Sequence, residues 1–111
     1  MNSNPKVTRW PGDTPPTDEQ IQQIMRRENL PFYTWSNSPG DVYAPHSHSY
    51  HKVLYVAKGS ITFGFPETQT KIEMHPGDRL DLPPGIVHDA IVGSEGVVCI
   101  EGHRYDTGKE S

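Results

Sequence analysis

The sequence predicts a small all-β fold, a jelly-roll β-barrel preceded by an N-terminal arm and one short helix. Three observations point there. At 111 residues the chain has the size of one domain. Only 32% of its residues are hydrophobic, while 10 glycines and 11 prolines supply abundant turn chemistry. From Phe32 onward, short runs of strand-forming residues follow one another with Gly or Pro at almost every break.

The expected division is an arm and helix over 1–31, a barrel over 32–105 and a tail over 106–111. Residues 1–16 carry four prolines and no hydrophobic period, so they read as an arm without secondary structure of its own. Thr17 then precedes "DEQIQQIMRRENL", with Gln20 as its capping-box partner and Asp18 and Glu19 in the first turn. Ile21, Ile24 and Met25 give the helix one narrow apolar stripe, enough to dock on something larger, and Pro31 is expected to end it.

Strands are expected at "FYTWS", "HKVLYVA", "SITFGF", "KIEM", "RLDL", "HDAIV" and "VVCIEGHR". The turns between them are "NSPGD", "KG", "PETQT", "HPGD", "PPG" and "GSEG". Seven or eight short strands at such close spacing suit a sandwich or jelly roll, not a parallel sheet with crossover helices.

Composition removes several function classes. A net charge of −4 leaves no basic stripe for nucleic acid, and the only adjacent basic pair, "RR" at 26–27, lies among acidic residues. A single cysteine excludes an intrachain disulfide framework and suits a reducing compartment. No apolar run approaches a membrane span, and the N-terminus lacks the apolar stretch of a secretory leader. The expectation is a cytoplasmic protein with a small-molecule ligand or substrate and neither nucleic acid nor membrane as partner. A homodimer would relieve the shortage of core.

The chemistry concentrates in "GDVYAPHSHSYHK", residues 40–52, which holds three of the six histidines. Strand alternation points His46 and His48 to the same side. A useful transition-metal site needs at least three converging ligands and an open position. His88 is the best third candidate, because the "PPGIV" corner lets its side chain enter the barrel as the next strand begins.

Residues 40–59 resemble the first cupin motif, with Gly40, His46, His48, position 52 and Gly59 at its spacing. Residues 77–92 resemble the second, through Gly77, Pro83, Gly85 and His88. The resemblance spans roughly residues 33–103 and implies a cupin barrel of the small single-domain kind. It also implies a divalent transition metal (Fe, Ni, Zn or Mn) on His46, His48 and His88. The function implied is a metal-dependent enzyme, a dioxygenase, isomerase or lyase, acting on a small anionic organic molecule. A non-catalytic ligand-binding or sensor cupin without metal is the alternative.

Two positions depart from the family pattern. Lys52 stands where most metal-binding cupins carry glutamate, and Val92 replaces an asparagine that often ends the second motif. An ammonium beside a divalent ion is repelled by roughly 4 kcal/mol per unit charge pair at moderate dielectric. Lys52 therefore has three options: to lose its proton and act as a catalytic base, to hold the carboxylate of a metal-bound substrate, or to replace the metal. A strand bulge would turn His51 inward as a fourth ligand and Lys52 outward. Among the remaining residues, His75 and His103 are expected at the surface and Cys99 in the packing. Tyr43, Tyr50, Tyr55 and Trp35 read as wall and core. Glu101 shares a strand face with Cys99 and has a route to the pocket.

Overall fold

The computed structural model describes residues 4–105. Helix α1 (Asp18–Arg27) starts as its cap dictates: the Thr17 hydroxyl accepts from the Gln20 amide at 3.1 Å, and the Gln20 side chain accepts from the Thr17 amide at 2.8 Å. It stops earlier than Pro31. Asn29 takes a left-handed φ of 58°, and the Leu30 and Asn29 amides turn back onto the Met25 and Arg26 carbonyls at 2.9 and 3.0 Å. That is a Schellman ending built on asparagine, and it folds Leu30 under the helix beside Met25.

Among the described residues one strand precedes the helix, β1 (Lys6–Thr8), and six follow it: β2 (Phe32–Asn37), β3 (Val42–His46), β4 (His51–Phe65), β5 (Thr70–Met74), β6 (Arg79–Leu82) and β7 (His88–Arg104). All pairings are antiparallel. The arm departs from expectation, since Lys6–Thr8 pairs with Arg79–Asp81 and covers the exposed edge of β6. Arg9 secures it by donating to Asp78 Oδ2 at 2.6 Å and to the Glu73 carbonyl at 2.8 Å. The expected tail, 106–111, lies outside the described residues.

The short strands expected on either side of "KG" and "GSEG" are instead halves of two long ones. β4 and β7 pair along nearly their whole length, with register shifts at Val56/Lys58 and Gly59/Ile61. Gly59 explains the continuity. Its φ is +74°, and a Cβ there would lie 2.0 Å from the Gly96 carbonyl oxygen, so the strands bend by close backbone approach without separating.

Each long strand thus serves two layers. The first half of β4 and the second half of β7 sit between β6 and β2, while their other halves sit between β5 and β3. The result is a small jelly-roll barrel with two apolar packings. Val53, Tyr55 and Ala57 face α1 and pack on Ile21, Met25 and Leu30. The alternate residues Leu54 and Val56 face the interior with Ile61, Phe63, Leu80 and Leu82. Burying each such side chain is worth about 1.5–3 kcal/mol. Among the described residues no helix is long and apolar enough to cross a membrane.

Candidate metal centre

Alternation at the end of β3 and the corner before β7 bring three histidines together. His46 closes β3 and is the register partner of His88, which opens β7. His48 lies beyond β3, in the loop leading to β4, rather than on one strand with His46. The three rings meet nevertheless, with centroids 4.4 Å (His46–His88), 4.8 Å (His46–His48) and 5.2 Å (His48–His88) apart. One nitrogen from each lies within 4.8 Å of the others, a grouping that could hold a metal ion.

Backbone contacts set the ring orientation. His46 Nδ1 lies 2.7 Å from the Ala44 carbonyl and His88 Nδ1 lies 2.9 Å from that of Ile86. A carbonyl only accepts, so each Nδ1 carries the proton and each Nε2 keeps its lone pair. Nε2 of His48 and of His88 are both cut off from solvent and have no hydrogen-bond partner among the described residues. Buried polar atoms of this kind cost stability unless something satisfies them. A divalent cation fits the donor set. Burial, together with the charge of Lys52, lowers the His48 pKa to about 4 and shifts that of His88 downward, so both rings are neutral at pH 7.

The cluster opens onto a cavity of about 450 Å³ whose walls include Trp35, Tyr43, Ile61, Phe63 and Ala90. Lys52 and Glu101 line it as well. Lys52 faces the cavity as alternation predicts, and its ammonium lies 3.8 Å from Glu101 Oε1. Glu101 is buried and accepts from Trp35 Nε1 at 2.9 Å, from the Tyr33 hydroxyl at 2.9 Å and from His103 Nε2 at 2.6 Å. Burial pushes its carboxyl pKa up, but Lys52 and these donors outweigh burial and hold it below the ordinary value. Burial likewise depresses the Lys52 pKa, opposed by Glu101.

The remaining candidates separate cleanly. His51 turns away from the cluster, its Nε2 3.5 Å from Asp81, and takes no place as a fourth ligand. His75 is exposed beside Glu73. His103 is not the surface residue expected: it is half-buried, bonded to Glu101 and stacked on Tyr50 at 3.8 Å. Tyr50 in turn stacks on His48 at 4.7 Å, linking His103 to the histidine cluster. Tyr55 belongs to the helix-side packing, Cys99 is fully buried, and burial raises the Cys99 thiol pKa to about 12. Tyr33, which escaped notice in the sequence, faces Glu101 across the β2–β7 pairing.

Comparison with known proteins agrees with this fold. No curated protein sequence matches the chain. Among solved structures it is similar to a DUF861 family protein of Thermotoga maritima (17% identity, 91% of this chain and 100% of that one, TM-score 0.62). It is also similar to the polyketide cyclase RemF of Streptomyces resistomycificus (23% identity, 65% and 52%, TM-score 0.59). A cupin-2 domain protein of Shewanella frigidimarina aligns too (20% identity, 66% and 69%, TM-score 0.55). At these identities the likeness is one of fold. The family model of the AraC-like ligand-binding domain matches residues 31–103, and the chain belongs to that family, within the cupin superfamily.

Proposed function

We propose that this protein binds a divalent transition metal through Nε2 of His46, His48 and His88 and uses it on a small anionic organic molecule. One observation carries the reading: buried, unpartnered imidazole nitrogens converge beside an open cavity. When bound, such an ion would act as a Lewis acid, polarising an oxygen of the molecule or activating water. The chain's own residues do the rest. The Ala44 and Ile86 carbonyls hold the rings in the ligating tautomer, as second partners of metal-bound histidines do. Trp35, Tyr43 and Phe63 offer apolar surface to the bound molecule, and Lys52 favours negative charge. An oxygenase-like reaction and an isomerase or lyase reaction both suit this set. RemF, a cyclase on a similar fold, supports an enzymatic reading.

A second reading has its own support: the matching family is described by ligand binding, which favours a non-catalytic sensor. Metal content of protein purified without a histidine tag separates the two. The first reading expects Fe, Ni, Zn or Mn near one ion per chain, abolished by His48→Ala. Protein that stays metal-free when offered each ion sinks it. The proposal extends to a cytoplasmic homodimer, supported by the low apolar content and by Val42 and Ile91, exposed side by side on one sheet face. A monomeric mass by light scattering removes the dimer.

A further inference from the structure

We propose that Lys52 is a receptor for a single carboxylate, acting without the metal, and that the ligand is a small organic monocarboxylate with an apolar remainder. The inference deepens the reading of the cavity as a ligand site but does not depend on a bound ion. The Lys52 side chain is 9% exposed, and its ammonium lies 3.8 Å from Glu101 Oε1, beyond hydrogen-bond reach. No closer partner exists among the described residues, so a group with three donors makes no hydrogen bond there. The side chain is buried along its stem while the ammonium faces the cavity, where a ligand's oxygens can replace water on its free donors.

Glu101 cannot close the gap. Donors on Tyr33, Trp35 and His103 fix both of its oxygens, and each would be broken by a swing towards Lys52. The carboxylate therefore supplies a counter-charge from a distance and leaves the ammonium's hydrogens free towards the cavity. It also sets the charge of the guest. Lys52 is the only lysine or arginine among the lining residues, and Glu101 stands beside it. A dianion such as a phosphate monoester would meet one cation and one fixed anion. A carboxylate brings a single charge and two acceptor oxygens to that ammonium. The rest of the lining near the cluster, Ile61, Phe63, Ala90 and Trp35, has apolar side-chain surface to offer the remainder of the ligand.

The test is calorimetric titration of EDTA-treated protein with benzoate and with benzamide, which keeps the shape and removes the charge. Benzoate is expected to bind at least about tenfold more tightly, the scale of one charge-assisted hydrogen bond. That preference is expected to fall below about threefold in Lys52→Met and in Lys52→Gln. Two variants are used because either alone could fold poorly. A smaller preference in the unaltered protein, no benzoate binding at millimolar concentration, or a preference that survives in a folded variant overturns the proposal. Content of Fe, Ni, Zn and Mn is measured separately on protein not treated with EDTA. A bound metal without the benzoate preference ends this inference alone, and the preference in protein that stays metal-free when offered each ion ends the metal reading alone.

Discussion

Two polar groups line the cavity, the histidine cluster and the Glu101 group, and they handle their polar atoms in opposite ways. At the histidine cluster, nitrogens are oriented and left open: Nδ1 of His46 and of His88 is tied to the backbone carbonyl two residues before it, and Nε2 of His48 and of His88 is buried without a partner. At the Glu101 group the acceptors are saturated, with three side-chain donors converging on one carboxylate. The histidines outside the cluster follow the second pattern. His51, His75 and His103 each direct Nε2 at a carboxylate, on Asp81, Glu73 and Glu101. The contrast teaches that ligating capacity depends less on a histidine's presence than on which of its nitrogens the surroundings occupy.

Removing a ligand should break the contrast most strongly. His88→Ala is expected to weaken zinc binding by at least about 100-fold, whereas His103→Ala leaves it within a few-fold, as read by competition with a chromophoric chelator. Equal losses would erase the distinction between the two kinds of histidine. Next comes the saturated group. Glu101→Leu leaves Lys52 and three donors unanswered in a buried place and should cost about 3–5 kcal/mol in urea unfolding. Adding Lys52→Met to it should recover part of that loss, because the stranded charge is gone.

A pH titration sharpens the comparison further. His48 is neutral in the folded protein down to about pH 4, while in the unfolded chain it takes up a proton near its ordinary value of 6.5. The unfolded state therefore binds more protons between these values, and the metal-free protein should lose stability as pH falls from about 6.5 towards 4. His88 acts in the same direction. A stability flat across that window would contradict neutral, desolvated rings. The smallest effect is a control remote from both groups. Thr17→Ala removes the helix cap and should cost about 1 kcal/mol without moving zinc affinity or carboxylate preference.

The histidine cluster was legible in the sequence because its determinants are local. His46 and His48 are two residues apart, and the "PPG" corner sits just before His88. Lys52 facing inward followed from strand alternation alone. The Glu101 group was mostly hidden. Alternation gave Glu101 a route to the pocket, but its importance depends on Tyr33 and Trp35 arriving from a distant strand, through pairings such as Tyr33↔Glu101 and Trp35↔Cys99. His103 was misjudged for the same reason: proximity to the C-terminus suggested exposure, whereas its partner is two residues away on the same inward face. "KVT" is too short to announce a strand, and becomes one only because β6 offers an edge. "KG" and "GSEG" carry ordinary turn chemistry, and nothing local reveals that Gly59 and Gly96 let the pairing run on.

That glycine corner has a consequence for how the chain tolerates change in length. Ser60 of β4 faces a four-residue excursion, Gly93–Gly96, while pairing resumes at once on either side, at Ile61↔Val92 and Gly59↔Val97. A residue inserted or deleted inside the excursion would be absorbed there, with His88 and Glu101 still directed inward, since each flank is held in register by its own buried face. The same edit a few positions later would rotate Glu101 out of the barrel. Loop-length variation among distant relatives should therefore accumulate at this corner.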